Sequence, residues 1–165
     1  WVLDQLKKHS AKATFFMVGE NAVNHADVVQ CVKDQEHRIG NHSFNHLKGW
    51  SNRSTKYYQN IEKASASTSS TLFRPPYGRI TPKQARILQD QGYSIVMWSV
   101  LSKDYDHNIS RQQCLKNVIT HIKPGSIVVF HDSLKAFKNL QYVLPKVLAH
   151  CTKMGWQCKA LPVSK

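Results

Sequence analysis

The chain has 165 residues, 41% of them hydrophobic, which suits one domain able to bury roughly 70% of its unfolded surface. Its longest apolar runs, such as residues 126–130, fall far short of the ~20 residues a membrane-crossing helix needs, so no membrane span is expected. Lys and Arg outnumber Asp and Glu by 23 to 10 for a formal charge of +13, yet the six lysines after Asp132 (Lys135, Lys138, Lys146, Lys153, Lys159, Lys165) are scattered and carry no aromatic–basic RNA signature, which speaks against nucleic acid and for a surface suited to an anionic polymer.

The chain opens on Trp1-Val2-Leu3-Asp4, with neither a start methionine nor a basic-then-apolar leader, and is read as lacking a signal peptide and as N-terminally truncated. Residues 2–9 form an amphipathic helix through Val2, Leu3 and Leu6, and "ATFFMV" at 13–18 is a buried strand bounded by Gly19. Residues 20–36 carry Ala22, Val23, Ala26, Val29 and Val32 at helical spacing, and 37–40 return as a short strand. Residues 54–71 are polar and weakly helical, with "SASTSST" as helix end and loop.

Leu72 and Phe73 lead into Arg74-Pro75-Pro76-Tyr77-Gly78, which cannot be helix interior because two prolines remove donors and fix φ. Thr81 caps a helix running from Pro82 to Gln91. Residues 93–100 are β-rich, Ser110 caps a helix to His121, 126–130 form a buried strand, 137–154 a helix and 156–161 a last strand. The alternation of continuous apolar strands with helices is that of a parallel sheet covered by helices, in which functional residues gather at the carboxyl ends of strands. Cys31, Cys114, Cys151 and Cys158 show no CxxC spacing, and most of them read as buried thiols, with a Cys151–Cys158 bridge left open.

The polar cluster "GNHSFNH" at 40–46 sets two imidazoles four residues apart. On a helical turn that spacing aims both rings at one ion; two solvated surface histidines are the alternative. A metalloprotease helix would need a glutamate after the first histidine, and here Ser43 stands there.

In chain order "GNHSFNH", "FRPPYG", "MWSVLSKDYD" and "IVVFHDS" resemble the motifs of the polysaccharide deacetylases of carbohydrate esterase family 4, the NodB-like domain, over essentially the whole chain as one domain, 1–165. The resemblance implies an α/β fold, a distorted (β/α) barrel lacking its first strand. The activity it implies is metal-dependent removal of acetyl groups from a polysaccharide such as peptidoglycan or chitin-like N-acetylglucosamine polymers. It implies a divalent metal, zinc first and cobalt or nickel as alternatives, with His42 and His46 as two of its three ligands. Arg74 would orient a catalytic carboxylate. The backbone N–H at Tyr77 would help hold the oxyanion. His131 would protonate the leaving amine. Pro76, Trp98, Asp104, Tyr105 and Val129 would form the substrate pocket. The family's substrates place it outside the cell or in the cell envelope; the oligomeric state is not implied.

Two departures qualify the match. The family's aspartate three residues after the tryptophan is Leu101 here, so His131 is expected to lack an acidic neighbour, and Leu101→Asp is expected to supply one. The family's Thr-Phe-Asp-Asp-Gly motif, source of the catalytic base and third ligand, would precede Trp1 and occurs nowhere in the chain. Asp132 is a poor substitute, since adjacent strand residues point to opposite faces, and Asp104 is a remote one. The chain as it stands is therefore expected to be inactive, and a sugar-binding pseudoenzyme is the alternative reading.

Overall fold

A computed structural model describes residues 1–162, so Lys165, the last of the six C-terminal lysines, lies outside the described residues. The chain forms two compact units. One comprises residues 13–97 with the segment from Ala160; the other comprises 1–12 with 98–159.

The first unit is built on a parallel four-stranded sheet, β1 (Thr14–Met17), β2 (Arg38–Asn41), β3 (Leu72–Phe73) and β4 (Ser94–Ile95), in the order β1-β2-β3-β4. β1 is an edge of this sheet and is half-buried, not the buried strand its composition suggests, and Phe16 pairs with Gly40 in the β1–β2 register. A side chain at Gly40 would lie 2.5 Å from the Phe16 ring, so glycine lets that ring lie against β2.

The periodic stretch 20–36 is not one helix. It breaks at His25 (φ −132°, ψ 52°) into α2 (Gly19–Asn24) and α3 (Ala26–Asp34). α2 packs on α4 (Ser54–Thr68) while α3 packs on β2, and one straight helix cannot serve both partners. α4 ends within the Ser/Thr tail, as the sequence suggests. Ser67 Oγ and Thr68 Oγ1 donate to the Ala64 carbonyl at 3.0 Å, so these hydroxyls bond inside the helix, which stops at left-handed Ser69. Tyr57, Ile61, Ala64 and Thr68 form its buried stripe. α5 (Pro82–Asp90) starts where the sequence places it: Thr81 and Gln84 cap each other reciprocally. The core is Tyr57, Ile61, Phe73, Leu88 and Tyr93.

The second unit holds α1 (Val2–Lys8), β5 (Val100–Leu101), β6 (Val128–Val129), α6 (Arg111–Ile119) and α7 (Leu134–Lys153), with β5 and β6 paired in parallel. The β-rich stretch 93–100 is thus divided between two sheets, and 126–130 supplies only two paired residues. Ser110 caps α6 as expected. α7 begins three residues before its apolar stripe because Ser133 Oγ accepts from the Ala136 N–H. The last strand expected at 156–161 is not formed; that segment is irregular and meets the chain through single bonds such as Lys12 N–H to the Cys158 carbonyl. Val100, Cys114, Val118, Val143, Val147 and Cys151 form this core.

All four cysteines are thiols; Cys114 and Cys151 are buried and Cys158 half-buried, while Cys31 is exposed on the outer side of α3, whose buried residues are Val29 and Val32. Burial, then the charge of Asp104, pushes the Cys114 thiol up to about 11; burial, then neighbouring Cys158, pushes Cys151 up to about 12. At pH 8 a thiol reagent is therefore expected to modify Cys31 at once and leave Cys114 and Cys151 untouched until the protein unfolds. Fast reaction at Cys114 in the folded state, read by peptide mapping, would contradict this. Because these thiols ionise first in the unfolded chain, the fold loses their contribution to stability as pH rises from the ordinary thiol range toward 11.

Candidate active site

Within the first unit, the chain leaves β2 at Asn41, which is fully buried and organises the loop beyond it. Its amide donates to the Ile61 carbonyl (2.9 Å) and to Ser65 Oγ (3.2 Å), while its Oδ1 accepts from the Ser43 N–H (2.9 Å). Ser43 and His46 then adopt left-handed backbone conformations (φ 62° and 57°), and the Leu47 N–H donates to Ser43 Oγ. The histidine pair accordingly sits on a bent loop rather than on the helical turn its spacing suggests. The loop nevertheless brings the rings together, with centroids 4.9 Å apart. Two left-handed non-glycine residues in seven are strain of the kind held at functional sites.

His42 Nδ1 lies 2.7 Å from the Arg74 carbonyl, which accepts its proton, so Nε2 is the nitrogen this tautomer would offer to a metal. Arg74 follows β3; its Nε donates to the Val96 carbonyl (3.2 Å), a terminal nitrogen to the Met97 carbonyl (3.3 Å), and its guanidinium stacks 4.1 Å above Phe16. Burial pushes it down to about 10, which leaves it a cation at neutral pH. Tyr77 sits in a tight turn (Pro76–Gly78) with φ 59°, and its ring meets His46 at 4.6 Å and Trp50 at 5.4 Å.

Within the second unit, Asp104 changes the reading of His131. The Asp104 carboxylate is fully buried, and His131 Nδ1 lies 2.8 Å from its Oδ1. The His131 backbone N–H donates to Oδ2 at 2.7 Å and Ser102 Oγ donates to Oδ1 at 2.9 Å. The expectation that His131 lacks an acidic neighbour is therefore wrong, and so is the placing of Asp104 as pocket wall or reserve ligand. The chain turns after β5 through left-handed Lys103, which lets a residue three positions past Leu101 reach the histidine. Leu101 itself pairs with Val129 across β5–β6. Tyr105 stacks edge-on to His131, with centroids 4.6 Å apart.

The remaining pocket candidates divide. Trp98 is half-buried, whereas Pro76, in the turn that carries Tyr77, and Val129, in β6, are buried instead of meeting solvent. Sequence reasoning missed Asn41 and Trp50. Asn41 could have been suspected as a polar residue closing an apolar strand; nothing local marked Trp50. Among the described residues no three His, Cys, Asp or Glu side chains gather as a metal site, so the His42–His46 pair fits a metal as two donors of a set the described residues do not complete.

The polysaccharide deacetylase family profile matches residues 1–96. A peptidoglycan-N-acetylglucosamine deacetylase of Bacillus cereus is 33% identical over 138 residues, which cover 80% of this chain; the chain spans 50% of that protein's length. The crystal structure of the Bc1960 peptidoglycan N-acetylglucosamine deacetylase is similar with a TM-score of 0.91 at 29% identity, covering 98% of this chain and 78% of that one. A pseudoenzyme of carbohydrate esterase family 4 from Bacillus anthracis is similar with a TM-score of 0.85 at 25% identity, covering 97% of this chain and 57% of that one.

Proposed function

The chain belongs to the polysaccharide deacetylase family, and from that premise we propose that it takes part in hydrolysing the N-acetyl groups of a cell-envelope polysaccharide, with peptidoglycan N-acetylglucosamine as the first candidate. The observation that carries the reading is the hydrogen bond from His131 to buried Asp104. It fixes the imidazole with its proton on Nδ1 and leaves Nε2 to exchange a proton, an arrangement of use to an acid–base catalyst and of little use to a sugar-binding surface. In the proposed reaction water adds to the acetyl carbonyl, the carbon–nitrogen bond breaks, and His131 delivers the proton that lets the sugar amine leave with acetate as co-product. Arg74, a cation braced by two backbone carbonyls, is suited to fix a carboxylate base.

His42 and His46 would hold a divalent metal, zinc by preference for imidazole, which supplies acidified water and polarises the acetyl carbonyl. Two imidazoles are a weak set without a third donor. In the form prefixed by a strand bearing two aspartates, His42→Ala and His46→Ala are therefore each expected to lose zinc on dialysis that the unsubstituted form retains, measured by elemental analysis. Equal retention by parent and both variants would remove the pair from the metal site.

The decisive experiment measures acetate release from peptidoglycan and from N-acetylchitooligosaccharides, with and without zinc. It is run on the 165-residue chain and on the same chain prefixed by a strand bearing two aspartates. Zinc-dependent release by either form supports hydrolysis; release by neither, with both folded, overturns it. The second reading, a binding protein without hydrolysis, is favoured by one observation: the described residues gather only two of the donors such a metal needs.

A further inference from the structure

Beyond the histidine pair, the first unit carries a row of rings that the hydrolytic chemistry does not use. From His46 the row passes to Tyr77 and on to Trp50, by ring-to-ring steps of 4.6 and 5.4 Å. Tyr77 is 53% and Trp50 39% exposed, so two aromatic side chains face solvent beside the imidazoles. A cation stands at each: Lys48 Nζ is 5.7 Å from the Tyr77 ring centre, and the Arg79 guanidinium 5.4 Å from that of Trp50.

The platform is held in place from behind. Trp50 lies in a short helical turn (Gly49–Ser51) whose Gly49 is buried against Tyr57 and Gln84; a side chain there would come within 2.9 Å of the Tyr57 ring. Gln84 Nε2 donates to the Gly49 carbonyl at 2.8 Å, and the Asn52 amide donates to the Lys48 carbonyl at 2.8 Å. Gln84 is itself buried and anchored by the α5 cap, so the turn carrying Lys48 and Trp50 is tied to a helix start. Charge points the same way: between Glu36 and Asp90 the sequence has one acidic residue, Glu62, against nine Lys and Arg.

We propose that Trp50, Lys48 and Arg79 form a subsite for a sugar bearing a carboxylate, next to the sugar that is deacetylated, so that the preferred substrate is an anionic N-acetylated glycan rather than a neutral one. This rests on the deacetylase reading for what the neighbouring sugar undergoes, but not for the binding itself. The Trp50 face packs against the apolar face of a pyranose, and the two cations meet its carboxylate. Exposed aromatics flanked by cations also occur as plain surface stacking. What separates the two is ligand preference.

The test is calorimetric titration of the zinc-free protein with two glycans of equal length. One is a neutral N-acetylglucosamine oligomer; the other is a peptide-free glycan strand bearing a carboxylate on alternate sugars. The anionic strand is expected to bind about 3- to 10-fold more tightly at low salt, the scale that two exposed ion pairs allow, with the difference fading as salt is raised. Lys48→Gln with Arg79→Gln should bring the two glycans within about 2-fold of each other. Trp50→Ala should weaken both by about 3- to 10-fold. Equal binding of the two glycans by the parent protein, or a preference that survives the double substitution, overturns the subsite. Acetate release is scored separately. Its absence from both the chain and the form prefixed by two aspartates, with the preference intact, would sink the hydrolase reading and leave the subsite standing; its presence with equal binding would do the reverse.

Discussion

His131→Ala, in a preparation that releases acetate, is expected to lower turnover by about 10²–10⁴-fold while zinc content stays unchanged. The size reflects what the residue would do. An amine is a poor leaving group until it is protonated, so loss of a positioned acid falls on bond breaking and not on binding. The residue is also separable from the fold: its side chain is 41% exposed, and the Asp104 carboxylate keeps the His131 backbone N–H and the Ser102 hydroxyl as donors after the ring is removed. Circular dichroism and the thermal midpoint should therefore change little. Turnover within a few-fold of the parent would remove His131 from acid catalysis. Loss of zinc in parallel would reassign it to the metal.

What the sequence made legible was whatever is decided locally. Thr81-Pro82 with Gln84 announces a helix start because all its partners lie within four residues, and Ser110 does the same for α6. Hydrophobic period likewise located α1, β1 and β2. The misses arose where distant partners decide. The break at His25 reflects two packing surfaces for one periodic stretch, and residues 156–161 have strand-like composition without a neighbour to ladder with. The histidine pair was found for an incomplete reason: spacing suggested a helical turn, whereas buried Asn41 and two left-handed residues bring the rings together. Asp104 was misplaced because counting along a strand cannot foresee a turn through left-handed Lys103.

That misplacement leads to the largest effect expected from one isosteric change. Asp104→Asn keeps the shape of the side chain and removes an acceptor. Both carboxylate oxygens now accept, Oδ1 from Ser102 and His131 Nδ1, Oδ2 from the His131 backbone N–H. An amide offers one oxygen and one NH₂, so either the NH₂ faces the His131 backbone N–H in a buried position, at a cost of about 1–3 kcal/mol, or it turns to Ser102 Oγ and the imidazole, which must then accept. If the amide nitrogen turns to the imidazole, the ring must present a lone pair at Nδ1 and carry its proton on Nε2, the reverse of the present arrangement. Turnover should then fall on the order of 10²–10⁴-fold with KM little changed, because orientation and tautomer are lost and not substrate contacts. Leu101→Asp should not compensate: Leu101 faces Val129 in the β5–β6 pair, and a carboxylate there would be added to an apolar register while the His131 ring stays bound to Asp104 in its turn. Nitrogen chemical shifts of His131 in the two variants would separate these outcomes. An unchanged Nδ1–H signal and unchanged turnover in Asp104→Asn would show that the buried carboxylate does no more than hold up the turn.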